Sequence, residues 1–510
     1  MEFLHKNKKG AFIVKKTNNY LSAGTLTLMI VASVISLRGL PMMAKEGLSM
    51  LFYILFATLL FLLPASLVSA ELGSAFSNRE GGVYTWVKAA FGSGWGFTAI
   101  WLQWIQNVIW YPTVLGFAAG SLAYLPGKPE LAASGTYCGI VVIAVFWIAT
   151  LLALKGTQTV GTVTKYGVLL GTIIPGAFII MLGVLWLFKG LPLAFLAPGA
   201  VTGTIHAHPS FFPHITGLGS IAFLAGIVLL FAGVEVQAVH VTGMKNPAKE
   251  FPAAMLGASL IIIILFLLGS LAVAAVIPRQ EISLNAGLME AFRQILDKFS
   301  LGFLVPVMGA LTAFGAIGGV MSWITGPSKG LLSTAREGEL PPFLSRTNNS
   351  GAPRNILLIQ AVIVTILGSL YFIMDNVNVA FFVLSAMTVT LYLIMYMLMY
   401  LAGVKLRYTA PDLPRAYRIP GSWAGIWLVT LTGLAGVVFA FVVGFFPPTN
   451  LTVGDPALYV ALVTSGTVIF TGLPWLIHAC RKPGWNRSSL STTTEGGNNN
   501  GSAQNHTSLQ

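Results

Sequence analysis

The sequence predicts an all-α integral membrane protein of about twelve transmembrane helices. Three observations carry that prediction. Of the 510 residues, 55% are hydrophobic and only 9% are charged, whereas a soluble chain needs roughly a quarter charged residues to cover its surface. The mean hydropathy is +0.79. The apolar residues also fall in blocks of about 20, the length that crosses a hydrocarbon core.

In chain order the blocks lie near 20–43, 48–72, 95–124, 137–154, 163–188 and 216–242. They continue at 252–277, 301–326, 355–373, 378–403, 421–446 and 457–479. Residues 1–19 are basic and polar and read as a cytoplasmic tail with no cleavable signal. Residues 20–480 form the membrane domain. Residues 481–510, rich in Ser, Thr, Asn and Gly, are expected to be a disordered cytoplasmic tail.

With both termini inside, 22 of the 29 Lys and Arg fall in cytoplasmic segments, as the positive-inside rule expects of a multi-pass inner-membrane protein. The net charge of +13 is thereby explained by a lipid bilayer and not by nucleic acid. Cys138 and Cys480 are far apart and fit no redox or metal spacing. His206, His208 and His214 share the outer loop 191–215, but Pro209 and Pro213 interrupt them, so a solvated loop is read in place of a metal site. No cofactor motif is present. The inner loop 326–354, with Pro341-Pro342 and Gly351-Ala352-Pro353, predicts a short amphipathic helix between breakers.

Two spans interrupt their own helices. In the first, Ile30–Leu37 is rich in small and β-branched residues and is followed by Arg38-Gly39-Leu40-Pro41, which makes a weak helix centre. In the sixth, Phe231-Ala232-Gly233-Val234-Glu235 puts a glycine and a carboxylate in mid-span, where an acid without a partner or water is costly. The breaks occupy matching places in two five-helix halves, the pattern of a midplane binding site in inverted repeats. The alternative for Gly233 is close helix packing alone.

Several stretches carry a resemblance. Gly233-Val234-Glu235 through Met244-Lys245-Asn246-Pro247 to Glu250-Phe251-Pro252, with Ala70-Glu71-Leu72 and Gly81-Gly82-Val83-Tyr84-Thr85-Trp86-Val87, resembles the amino acid–polyamine–organocation superfamily. Ser322-Trp323-Ile324-Thr325-Gly326-Pro327-Ser328-Lys329-Gly330, Ala335–Pro341, Thr390-Leu391-Tyr392, Tyr396 and Phe445-Phe446-Pro447-Pro448 are similar to its bacterial glutamate/GABA antiporter branch. The resemblance covers about residues 20–480. It implies a five-plus-five inverted repeat with broken first and sixth helices, two extra C-terminal helices, and amino acid exchange by alternating access.

It also implies a site. The substrate carboxylate would take backbone N–H groups at the restart of the first helix, around Ala32, Ser33 and Val34. The ammonium would face carbonyls of Leu230, Phe231 and Ala232 in the sixth break. Side-chain recognition would fall to Glu235, Trp323, Tyr392 and Tyr396. Trp323 reads either as a gate over the substrate or as a packing residue. Tyr392 and Tyr396, one turn apart, share a face that lines the pocket or only packs. The chain departs from the branch at Gly319, where an acid is expected, and at Arg38, where a tyrosine is. Both changes move the cavity towards positive charge and favour a substrate with a side-chain carboxylate, unless Arg38 snorkels to the outer surface beside Lys45. Gly171 stands where many proton-coupled relatives carry a lysine, which argues for exchange over proton symport.

Proton symport or uniport of neutral amino acids is the alternative within the class. An enzyme would need a nucleophile and base or a metal cluster at membrane depth, and a channel a filter or charged ring. The sequence offers neither.

Overall fold

The computed structural model describes residues 4–6, 12–14, 22–76, 82–196, 210–237, 244–374, 377–447, 456–482 and 485. Ten helices in these residues are long and apolar enough to cross a membrane. The 30-residue helix Ser93–Leu122 and the split pair Ala23–Val34 and Gly39–Ala44 complete twelve spans. Each five-span half opens with its broken member, the first and the sixth span. Five is odd, so the second half starts from the opposite side of the membrane and the two are inverted. The eleventh span, Ser422–Val443, packs on the tenth and on the second. The twelfth, Pro456–Ala479, packs on the third and tenth.

Ser22 starts the first span by accepting the Thr25 N–H at 3.2 Å, which satisfies an otherwise orphaned donor. Third, eighth and tenth spans form the densest contact and surround the breaks. The fifth and eighth spans touch backbone to backbone. A Cβ on Gly171 would stand 2.1 Å from the Gly315 nitrogen, and one on Gly167 would stand 2.7 Å from the Gly318 Cα. A π-turn at Leu169–Ile173 widens the fifth span at the same place. Gly171→Ala is therefore expected to force the two helices apart and cost about 1–3 kcal/mol. Thermal unfolding in detergent reads this as a lowered midpoint, and an unchanged midpoint would contradict the close approach.

Two expectations are corrected. The eighth span does not end near residue 326: Val305–Arg336 is one helix that passes through Gly326-Pro327. The amphipathic helix expected in the loop after it is a single 3-10 turn, Pro342–Ser345. Amphipathic helices lie instead at Val83–Phe91 and Gly287–Lys298. Residues 4–6 and 12–14 pair as a short antiparallel hairpin. His206 and His208, and the tail from 486 onward, lie outside the described residues.

Glu71, at the end of the second span, is buried and fully engaged. Arg407 reaches both its oxygens, at 2.7 and 2.5 Å, and the Ile419 N–H adds a bond of 2.8 Å. Bidentate pairing satisfies both partners of a desolvated pair, the condition under which such a pair persists. Glu71 is thus a clamp between the second span and the tenth–eleventh connection, away from the breaks.

The helix Gly287–Lys298 is tied down through Glu290. Arg293 donates to it at 2.6 and 3.0 Å, Gln294 at 3.0 Å and Tyr124 at 3.2 Å. Burial pushes the Glu290 carboxyl up, but the hydrogen bonds from Arg293 and Gln294, the Arg293 charge and the Tyr124 bond outweigh it and hold it below its ordinary value. A lowered folded value means the contribution is present above the ordinary carboxylate range and lost as pH falls through the lowered value. Protection of 287–298 against hydrogen exchange, taken relative to the intrinsic rate at each pH, should therefore weaken as pH falls through the carboxylate range. Glu290→Gln should remove that step; a variant that keeps it would assign the step elsewhere.

Candidate substrate site between the two broken helices

The first span leaves helical geometry at Ile35, whose backbone is extended, and restarts after Arg38. Ala32, Ser33 and Val34 therefore form the last turn of the first half. They present carbonyls at that end, and the restart lies four residues further on. The N–H groups of Ser36, Leu37 and Arg38 donate to no backbone acceptor among the described residues. The unbonded N–H groups thus lie beyond Ala32–Val34, where the sequence had set the restart.

The sixth span runs from Phe223 to Leu230, breaks, and resumes at Val234. Gly233 has φ of +119°, a region a side chain rarely occupies. A Cβ there would also stand 2.7 Å from the Trp323 ring. Glycine is required twice over. The carbonyls of Leu230, Phe231 and Ala232 accept no backbone hydrogen bond among the described residues. The breaks adjoin: Ser33 Oγ donates to the Gly233 carbonyl at 3.4 Å.

Trp323 closes over this junction. Its indole N–H donates to the Ser33 carbonyl at 3.2 Å, and its ring stands edge-on to Trp110 and Tyr392, at 6.2 and 6.5 Å. On its two sides lie cavities of about 30 Å³ each, close to the space of a single water. An amino acid fits in neither. The indole of Trp323 borders both.

Eight of the eleven sequence-predicted residues line these cavities. Ala32, Ser33, Val34 and Trp323 border one; Ser33, Val34, Arg38, Leu230, Ala232, Trp323 and Tyr392 border the other. Phe231, Glu235 and Tyr396 line neither. Phe231 packs its ring against Phe266 at 5.2 Å. Glu235 is buried and receives three donors: Gln103 at 3.1 Å, Tyr396 at 2.5 Å, and Tyr392. Tyr396 also accepts the Gly233 N–H at 3.0 Å, so the acid and the two tyrosines pin the sixth break from behind. Glu235 reaches the cavity through Tyr392.

Arg38 does not snorkel. It is 2% exposed, with its guanidinium between the rings of Trp110 and Phe381, at 5.7 and 5.4 Å. One nitrogen donates to Thr113 Oγ1 at 3.3 Å, and Nε has no partner. No acidic side chain pairs with it among the described residues. A desolvated cation with so few partners is unfavourable until an anion arrives. Gly319 borders the cavity on the other side of Trp323 and faces open space.

Sequence reasoning missed Gln106 and Asn107 of the third span, which border the Arg38 cavity. Their amide nitrogens both bond the Gln103 carbonyl, at 3.1 and 2.8 Å. The signal was available, since Gln103, Gln106 and Asn107 put three amides in one span, and polar side chains at that depth need partners.

Half-helix ends meeting at mid-span beside an aromatic side chain are the arrangement found at midplane sites of inverted-repeat transporters. Residues 21–469 match the family profile described as amino acid permease. The chain belongs to the amino acid permease family. An uncharacterized transporter of Legionella pneumophila is 37% identical to this permease over 89% of the chain and 96% of its own length. The glutamate/gamma-aminobutyrate antiporter of Lactococcus lactis subsp. lactis is 31% identical over 86% of each. A probable agmatine/putrescine antiporter of the same subspecies is 24% identical, over 74% of the permease and 78% of its own length. The permease is thus a multi-pass membrane transporter and not an enzyme.

Proposed function

We propose that this permease exchanges an acidic amino acid for its decarboxylated product, a glutamate/GABA-like pair, across a bacterial inner membrane by alternating access. The observation that carries the reading is Arg38, a buried guanidinium at the mouth of the first break that has no acidic partner among the described residues. A zwitterion with a second carboxylate supplies two anionic ends. One goes to the free N–H groups of Ser36 and Leu37 and one to Arg38, while its ammonium faces the carbonyls of Leu230–Ala232. Decarboxylation removes the α-carboxylate and keeps the side-chain one, so the product cannot fill the N–H groups of the first break and Arg38 at the same time. It is held by one anionic contact in place of two, which favours its release on the far side.

Trp323 acts as the gate. Swinging the indole off the Ser33 carbonyl joins the two cavities around the substrate. The Lactococcus antiporter supports the pair of substrates by likeness. Gly171 supports exchange over proton symport: it lies against the Gly315 backbone, with no room for a titratable side chain. The distribution of basic residues supports cytoplasmic termini, and such exchange would export a proton equivalent and oppose acid stress.

The test is uptake of labelled glutamate by liposomes preloaded with GABA, glutamate, glutamine or nothing, at acidic and neutral pH. Uptake confined to loaded vesicles is the expected result. Accumulation in empty vesicles driven by a pH gradient would overturn exchange and leave the symport reading.

A further inference from the structure

A third and larger cavity, of about 410 Å³, lies away from the broken helices, between the third, eighth, ninth and twelfth spans. Its walls are apolar. Trp101 and Trp104 form one side, Ile359 and Ile363 another, and Leu476 and Trp485 a third. Both third-span indoles spend their N–H groups elsewhere: Trp101 on the Phe470 carbonyl and Trp104 on Gln360 Oε1, each at 3.0 Å. A cavity without polar partners does not hold ordered water. Leu476 is 65% exposed, so the wall of the cavity reaches the outer surface of the twelfth span. The space accommodates roughly a dozen methylene-sized groups at ~30 Å³ each.

The residues flanking the walls in the chain are basic. Arg346, Arg354 and Lys482 each follow or precede a wall residue by two positions, at Leu344, Ile356 and Cys480. All three are exposed and none forms an ion pair among the described residues. Arg481 is held by Glu339 at 2.7 Å. An apolar slot flanked in the chain by three cations without an ion pair among the described residues has the chemistry of a phospholipid site: chain in the slot, phosphate on the flanking cations. The chain's own tail is a poor occupant, because residues 486–510 offer only Leu490, Ala503 and Leu509 as apolar side chains.

We propose that this cavity binds one acyl chain of an anionic phospholipid, with its phosphate held by Arg346, Arg354 and Lys482. Native mass spectrometry of the purified full chain, titrated with phosphatidylglycerol or with phosphatidylcholine, tests it. The expected result is retention of phosphatidylglycerol over phosphatidylcholine. Ile359→Trp, which fills the slot from a partly buried position, should lower retention at least about tenfold, since each buried methylene contributes substantially. Arg354→Gln with Lys482→Gln should lower it roughly thirtyfold. These two surface changes leave the core untouched and keep the test decisive if the tryptophan variant misfolds. Equal retention of both lipids, or retention indifferent to the variants, overturns the proposal. So does a gain in lipid on deleting residues 486–510, which would make the tail the occupant. Loss of a dimer in place of a lipid in the Ile359→Trp variant would make the occupant a second copy and overturn it as well.

Discussion

Arg38→Gln is expected to abolish exchange of the acidic substrate while leaving the protein folded. A buried charge pair between a guanidinium and a substrate carboxylate is worth about 2–5 kcal/mol on truncation of one partner. The midpoint of that range corresponds to a loss of a few hundredfold in affinity for a substrate with a side-chain carboxylate. A neutral amino acid uses only the helix ends and should lose little. Stability moves the other way. Without substrate, Arg38 is a desolvated cation with a single side-chain bond, to Thr113. Replacing it with a neutral amide removes that cost, so the thermal midpoint of the empty protein should hold or rise. Arg38→Lys keeps the charge but not the planar fork, and should fall between. Counterflow of labelled glutamate and of a neutral amino acid, with thermal midpoints measured with and without glutamate, separates these outcomes. Undiminished glutamate exchange in Arg38→Gln would sink the assignment of Arg38 to the substrate. A parallel loss for both substrates would make the residue structural.

Much of this arrangement was legible in the sequence, for a physical reason. Lipid forces every spanning segment to pair its own backbone, so span lengths and helix breaks are written directly in hydropathy, glycine and charge. That is why Gly233-Val234-Glu235 marked the sixth break. The spacing of Tyr392 and Tyr396 put them on one face, and the structure has both on the same carboxylate. What failed depended on the third dimension. Gly326-Pro327 reads as a stop, but within a bundle neighbouring helices tolerate proline, and the eighth span runs on to Arg336. The register of the first break slipped because IVASVISL is weakly helical throughout and gives no local mark of where the last turn ends. Whether Arg38 points outward or inward is a matter of packing. Its neighbours Trp110, Thr113 and Phe381 come from the third and tenth spans, which no local pattern in the first span reveals.

Glu235 separates a residue that touches substrate from one that holds the site in shape. The structure has its carboxylate filled by Gln103, Tyr392 and Tyr396, with Tyr396 also bound to the Gly233 N–H. Glu235→Ala would strand three buried donors, each costing about 1–3 kcal/mol when left without an acceptor. Several kcal/mol is a large share of the stability of any protein. The variant should be recovered in much lower yield, and what is recovered should unfold at a midpoint lower by about 5 °C or more. Glu235→Gln keeps one carbonyl oxygen for the hydroxyls, and its amide nitrogen can donate to a tyrosine hydroxyl that turns to accept. That variant should unfold near the parent and retain substrate affinity within about tenfold, since the sixth break stays pinned. A carboxylate that met the substrate ammonium directly would behave in the opposite way. Glu235→Gln would then lose affinity well beyond tenfold with its midpoint intact, because a charge-assisted bond is lost while the fold is not. Comparing the thermal midpoints and substrate affinities of the two variants therefore decides whether the acid recognises the substrate itself or acts through Tyr392, the residue of this cluster that borders the cavity.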